Sequence, residues 1–128
     1  MSNNKNKITK TQIEQFELLV PLLRSTYDEV KEFSKKKPDG ILNLFKVELI
    51  NKIIVPLKEL FASETMNQFL EIFDKDALPF NSDAVLVLSH YLAAADLFKD
   101  KHMIEVESLD FGFDTFSTKS WNMAEEDK

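Results

Sequence analysis

The sequence predicts an all-α fold: a compact bundle of about four helices, two of them kinked at a proline, with a short extended acidic and aromatic segment near the C-terminus. Three observations predict it. Apolar residues recur at three- and four-residue spacing along most of the chain, which is the period of an amphipathic helix. Only two glycines occur in 128 residues, too few for a fold with many tight β-turns. After residue 103 the apolar residues alternate with acids, which is the period of a strand.

The first predicted helix begins at Thr9 or Thr11 and runs to three lysines at residues 35–37. Thr11 and Glu14 have the spacing of a capping box, in which each side chain bonds a backbone donor of the other residue. Lysines favour the last turn because positive charge there complements the helix dipole. The apolar spacing continues across Pro21, so the sequence predicts a kink at this proline rather than a break.

The second and third predicted helices fill the middle of the chain. The second is expected from Asp39, a favoured N-cap residue, to about Phe61, with another kink at Pro56. Its apolar side is wider than a single stripe. A short third helix is predicted after Ser63, and a loop over residues 74–81 follows it.

The fourth predicted helix, from Ser82 to about His102, is apolar nearly all round. Its main polar line consists of Ser82, Ser89 and Asp96, and so narrow a polar stripe requires cover on most sides of the helix. Either this helix is the centre of the fold, or its second apolar face meets another copy of the protein. The predicted self-association residues are Leu86, His90, Ala93, Ala94 and Leu97.

Charge divides the chain into three parts. Residues 1–8 are predicted to be a disordered basic lead-in, and residues 9–103 a helical domain. Residues 104–128 hold seven acids against two lysines in a chain of formal net charge −6. Of 16 basic residues only Arg24 is arginine, the residue that makes most bidentate contacts to phosphate and guanine. Direct nucleic-acid binding is therefore not expected.

The segment 104–128 is the predicted partner-binding element. Aromatic anchors would supply buried area, and the surrounding acids would select a basic partner surface and speed encounter. Its alternating pattern also suits addition to the edge of a partner's sheet. The alternative is that the aromatic residues pack back onto the helices or form a small hairpin. The predicted partner-binding residues are Phe111, Phe113, Phe116, Trp121, Asp110 and Asp114.

Composition restricts the chemistry that the chain can carry. Cysteine is absent, which excludes disulfides and thiolate metal sites. No apolar run near residue 1 is typical of a signal peptide, and no apolar stretch approaches the ~20 residues that cross a bilayer. We therefore expect a soluble cytoplasmic protein that does not contact membranes.

No pattern in the sequence predicts a catalytic residue, a cofactor or a metal site. His90 lies on an apolar face without a Cys, Asp or Glu at ligand spacing, so we interpret it as a buried, hydrogen-bonded histidine. Asp96, Asp100 and His102 gather at a helix end, as charged residues commonly do, and their spacing is too loose for a metal site. Gly-rich phosphate loops and nucleophile-elbow or zinc-protease motifs are absent from the sequence.

The predicted function is that of a non-catalytic interaction or regulatory protein that binds a protein partner as a homo-oligomer. Two alternatives stay open. An acidic inhibitor that mimics nucleic acid needs carboxylates over a broad face, which the nearly neutral helical body disfavours. A small ligand-binding or enzymatic domain needs a closed apolar cavity with convergent polar groups, which the sequence would place near His90 and Tyr91.

Overall fold

A computed structural model of the chain describes residues 7–109 and 115–124 and confirms a mostly helical fold. The α-helices within these ranges are α1 (Lys10–Lys36), α2 (Leu44–Leu60) and α3 (Asn81–His102). None of these helices combines the length and the apolar content that crossing a bilayer requires. Helices α1 and α2 continue through their prolines, and the kinks predicted there stay a prediction.

Helix α1 has its N-cap two residues earlier than the predicted capping box. Thr9 is the N-cap: its side chain accepts a hydrogen bond from the Gln12 backbone N–H at 3.1 Å, and the Gln12 side chain accepts one from the Thr9 N–H at 2.9 Å. This reciprocal pair satisfies two backbone donors that a helix N-terminus otherwise leaves without partners. The box is therefore formed by Thr9 and Gln12 rather than by Thr11 and Glu14.

The N-cap of helix α2 lies four residues after the predicted N-cap Asp39. Asn43 caps it, because its side-chain oxygen accepts a hydrogen bond from the Lys46 N–H at 2.9 Å. The residues before it are held extended by the segment that leads into α3. There the Asn81 N–H donates to the Gly40 carbonyl at 2.7 Å, and this long-range pairing prevents the helix from starting earlier.

The third predicted helix is a five-residue 3-10 helix, Thr65–Phe69. It ends at Leu70, an extended residue whose N–H donates to the Asn67 carbonyl, and the chain then continues without helix or strand through Phe73. We call residues 70–73 the strap. Side chains of α2 and α3 bond its backbone, as described below. The described residues therefore hold three α-helices and a short 3-10 turn rather than four principal helices.

The core forms where α1 packs against both α2 and α3. On α3 the buried positions recur every three or four residues, from Ala84 through Leu88 to Phe98. The aromatic rings of Phe16, Phe61 and Phe98 join the three helices, with centroids 5.6 Å apart for Phe16 and Phe98 and 5.0 Å for Phe61 and Phe98. Aromatic rings bury large areas, so this cluster fixes the C-terminal end of α3 relative to the other helices.

A hairpin follows α3 and confirms that the chain becomes extended after the helical domain. Strands β1 (Met103–Leu109) and β2 (Thr115–Trp121) are antiparallel, with Met103 opposite Trp121. The Trp121 ring meets Phe16 edge to face, with centroids 5.1 Å apart, and its Nε1–H donates to a Glu17 carboxylate oxygen at 3.1 Å. Since an isolated hairpin is marginally stable in water, these contacts at its base support it.

The chain after β2 also pairs with the chain before α1. The Ile8 N–H donates to the Asn122 carbonyl at 2.9 Å, and the Ala124 N–H donates to the Ile8 carbonyl at 2.8 Å. Ile8 is buried, although it lies within the predicted lead-in. Residues 1–6 of that lead-in and residues 125–128 lie outside the described residues.

Candidate interaction site

Helix α2 exposes more large apolar surface than its core face requires. Its buried positions, Val47, Ile50, Ile54 and Leu57, form one stripe against α1 and the rest of the core. Other apolar side chains lie outside that stripe, and Phe45 is 69% exposed. The further exposed apolar residues of α2 and of the segments beside its N-terminus are Ile41, Leu44, Leu49, Val55 and Phe80.

An open cleft of about 640 Å³ lies between α2 and the segment from Phe73 to Asp76. Phe45 and Leu49 of α2 and Phe73 of the strap supply its apolar lining. Charged groups of both signs surround this lining. They are Glu48, Lys52, Asp74, Lys75 and Asp76. The cleft is therefore lined by apolar and charged side chains together, a mixture that protein-binding surfaces commonly show.

The wall of the cleft is fixed by Asn51. Its side-chain nitrogen donates to the Phe73 carbonyl at 2.9 Å, and its side-chain oxygen accepts from the Phe73 N–H at 3.2 Å. One asparagine thus satisfies both backbone groups of Phe73, as a neighbouring strand would. Because these groups are partly buried, leaving them without partners would destabilise the fold.

The other end of the strap is fixed by Lys58 of α2. Its Nζ donates to the Leu70 carbonyl at 2.8 Å and to the Asn67 carbonyl at 3.1 Å. The Asn67 side chain donates in return to the Lys58 carbonyl at 2.8 Å. The strap is therefore bonded to α2 at both ends, and its last residue, Phe73, is part of the cleft wall.

Tyr91 of α3 fixes the middle of the strap. Its hydroxyl donates to the Glu71 carbonyl at 2.9 Å. Burial, with a smaller contribution from the negative charge of Glu71, raises the pKa of Tyr91 well above its ordinary value. The phenol therefore stays protonated and remains a hydrogen-bond donor at any physiological pH.

A second cavity of about 240 Å³ lies between α1 and α2 and shares Leu49 with the cleft. Val30, Phe33 and Ile50 supply apolar lining. The Lys46 ammonium lies 4.3 Å from the Phe33 ring centroid, a cation–π distance. Apolar surface therefore continues across α2 on both sides of Leu49.

The predicted self-association residues mostly share the outer surface of α3. Leu86 is 58% exposed, Leu97 is 55% exposed, and His90 and Ala93 are also exposed. Ala94 is fully buried in the core. The interpretation of His90 as a buried histidine is wrong, because the core side of α3 is the opposite one.

The predicted partner-binding residues of the C-terminal segment fall largely outside the described residues. Asp110, Phe111, Phe113 and Asp114 lie beyond them, and of Phe116 only the backbone pairing with Ser108 in the hairpin is described. Trp121 is half-buried against Phe16 and Glu17. Trp121 therefore attaches the hairpin to the helices.

A buried ionic cluster lies at the end of α3, away from the cleft. The Glu64 carboxylate accepts from Lys101 Nζ at 3.1 Å and lies 3.3 Å from His102 Nε2. Both the Glu64 and His102 side chains are buried, and the His102 ring packs on Phe98. This cluster joins the chain after α2 to the end of α3, a contact over 38 residues that the sequence analysis did not anticipate.

The acidic and histidine residues considered for a metal site do not converge. Asp96 pairs with Arg24 at 3.6 Å on the surface, whereas His102 is buried beside Glu64. Within the described ranges no three His, Asp or Glu side chains are placed to hold a metal ion together.

The cleft itself was missed in the sequence, although one signal for it was present. The wide apolar side of the second predicted helix exceeds what one buried stripe needs, and the surplus is the lining that Phe45 and Leu49 provide. Comparisons of this chain with protein-family models, with curated proteins and with solved structures found no match.

Proposed function

We propose that this protein is a non-catalytic interaction protein that binds a segment of a protein partner in the cleft between α2 and residues 73–76, and that it works as a homo-oligomer. The observation that carries the proposal is the 69% exposure of Phe45, which lines the open cleft together with Leu49 and Phe73. Aromatic side chains in such positions commonly dominate binding energy, because burying one on association removes a large apolar area from water.

The cleft is preorganised for binding. Asn51 and Lys58 fix the strap from α2, and Tyr91 fixes it from α3, through hydrogen bonds of 2.8 to 3.2 Å. A wall that is already ordered loses little conformational entropy when a partner arrives. Affinity is therefore expected to come from apolar anchors that enter a site of nearly constant shape.

The form of the lining favours a partner segment with two apolar anchors. Leu49 separates the cleft from the cavity between α1 and α2, so one anchor would lie on each side of it. An amphipathic helix presents apolar side chains at such spacing in helix-in-groove recognition. The rim of mixed charge, with Lys52 and Lys75 among acids, would orient the segment.

The alternative of a small-ligand pocket gains no support from the positions of His90 and Tyr91. Tyr91 is buried and bonded to the strap, whereas His90 lies on the outer surface of α3. The two side chains do not converge on one cavity. The cleft is also open, which suits a partner's side chains better than an enclosed small molecule.

Selection of peptides from a random library on the immobilised protein tests this proposal. We expect the selected peptides to share two apolar anchors and to bind Phe45→Ser at least tenfold more weakly than the unchanged protein. Leu18→Ser is the matched control, because Leu18 is 61% exposed on α1 and lines neither cavity. Selected peptides that bind Phe45→Ser as tightly as the unchanged protein, or a failure to select any, would contradict the proposal.

A further inference from the structure

We propose that α3 pairs with α3 of a second copy in antiparallel orientation, about a two-fold axis between His90 and Ala93. This inference deepens the homo-oligomer part of the proposed function and rests on it. The pairing surface is the stripe formed by Leu86, His90, Ala93 and Leu97, which we call the α3 stripe. All four residues are exposed, and their spacing of four, three and four residues keeps them on one side of the helix.

The α3 stripe matches itself when it is reversed. Leu86 and Leu97 are equally distant from the midpoint between His90 and Ala93, so an antiparallel pair places Leu86 of each copy against Leu97 of the other. His90 then lies opposite Ala93, a large side chain against a small one. The pair therefore has leucine against leucine at both ends and a large side chain against a small one at the centre. Closely packed helix pairs use this alternation of side-chain size.

The charges beside the stripe pair favourably in the antiparallel orientation. Asp83 and Lys101 are 18 residues apart, which is five helical turns, so they lie on the same flank of α3. In the antiparallel pair each Asp83 approaches Lys101 of the other copy. A two-fold parallel pair would instead set this flank against the flank that carries Ser82 and Asp100, so Asp83 would lie beside Ser82 and would have no basic partner.

Lys101 is able to take a second carboxylate. Its Nζ donates to Glu64 at 3.1 Å, and its side chain is still 40% exposed. An ammonium carries three donors, so the bond to Glu64 leaves capacity for Asp83 of the other copy. On the opposite flank Asp100 approaches Ser82, so no acid meets an acid there.

A single helix pair is a small interface, and the dimer is correspondingly weak. Stable dimers bury far more surface than one stripe of four residues provides. We expect a reversible dimer with a dissociation constant on the order of tens of micromolar. Sedimentation at several hundred micromolar should therefore show mainly dimer, and a monomer at that concentration would overturn the inference.

Disulfide cross-linking tests the orientation directly, because the chain contains no cysteine. A mixture of Leu86→Cys and Leu97→Cys chains carrying different tags should form the mixed disulfide dimer on mild oxidation. Each variant alone should cross-link poorly, because the two copies of one position lie roughly 16 Å apart in the antiparallel pair, beyond disulfide reach. Leu18→Cys, exposed on α1, controls for random collision.

A cross-link formed by Leu86→Cys alone, at the yield of the mixture, would show a parallel pair and overturn the proposal. A mixture that cross-links no better than Leu18→Cys would overturn the pairing itself.

Asp83→Lys adds a second measurement without touching the core. We expect its dimer dissociation constant to rise at least fivefold, and no change in that constant would contradict the charge argument. Peptide binding in the cleft is measured separately, so failure of the dimer leaves the cleft proposal standing, and the reverse also holds.

Discussion

The side-chain amide of Asn51 bonds both backbone groups of Phe73, at 2.9 and 3.2 Å, and so joins the middle of α2 to the strap. This contact makes the cleft a property of the fold rather than of a bound partner. The asparagine side chain carries an N–H donor and a carbonyl acceptor, as a peptide group does. It therefore makes the two hydrogen bonds to Phe73 that a neighbouring strand would make.

Asn51→Ala should destabilise the protein and weaken peptide binding together. Two partly buried backbone groups lose their partner, which costs about 1–3 kcal/mol in the free energy of unfolding. Urea denaturation followed by circular dichroism measures this change. Gln15→Ala, on the exposed face of α1, is the control and should change stability by less than about 0.5 kcal/mol. An Asn51→Ala protein as stable as this control would show that the contact does not support the strap.

Tyr91 should make the protein sensitive to alkaline pH. The pKa of Tyr91 is raised in the folded protein by burial, whereas in the unfolded chain it stays near its ordinary value of about 10. Its contribution to stability is therefore fully present below about pH 10 and is lost as the pH rises further, at up to about 1.4 kcal/mol per pH unit.

Tyr91→Phe isolates this effect. The variant loses the bond to the Glu71 carbonyl, which lowers stability by about 1 kcal/mol at neutral pH. Its stability should then decline less than that of the unchanged protein between pH 9 and pH 11. Urea midpoints at the two pH values measure the difference, and equal declines in the two proteins would show that Tyr91 ionises as easily in the folded state as in the unfolded one.

The ionic cluster at the end of α3 should respond strongly to loss of its carboxylate. Glu64→Ala removes the partner of Lys101 and of the buried His102, and hydrogen bonds to charged groups of this kind contribute about 1.5–3 kcal/mol. Glu64→Gln retains an acceptor and should lose less. The free energy of unfolding of the two variants tests the order, and a Glu64→Gln protein less stable than Glu64→Ala would refute it.

Trp121 offers a direct measure of how firmly the hairpin is attached, because it is the only tryptophan in the chain. Its ring contacts Phe16 and its Nε1–H bonds Glu17. We expect unfolding followed by its fluorescence to coincide with unfolding followed by circular dichroism, since both would report one cooperative unit. A fluorescence transition at lower urea concentration would mean that the hairpin detaches before the helices unfold.

Local patterns in the sequence predicted the helices well. The three- and four-residue spacing located α1, α2 and α3, and the alternation after residue 103 agreed with strands β1 and β2. These elements follow from side-chain periodicity, which depends on near neighbours in the chain. The surplus apolar surface on α2 was also visible, although its position beside a cleft was not.

The features that were mispredicted depend on contacts between distant residues. The predicted third helix is shorter than expected, because the residues after Phe69 form the strap. Asn51 bonds Phe73 of the strap from 22 residues away. Helix α2 starts late because Gly40 pairs with Asn81. His90 is exposed because the other helices pack against the opposite side of α3. Nothing local in the sequence specifies these pairings, so periodicity alone could not supply them.

Quantitative co-purification from the source organism's extract tests the central claim most directly. Three tagged proteins are compared: the unchanged chain, Phe45→Ser and Leu18→Ser. We predict that at least one protein is enriched with the unchanged chain and with Leu18→Ser, is reduced at least tenfold with Phe45→Ser, and binds the unchanged chain directly once purified. If every protein enriched with the unchanged chain is equally enriched with Phe45→Ser, the cleft is not the binding site.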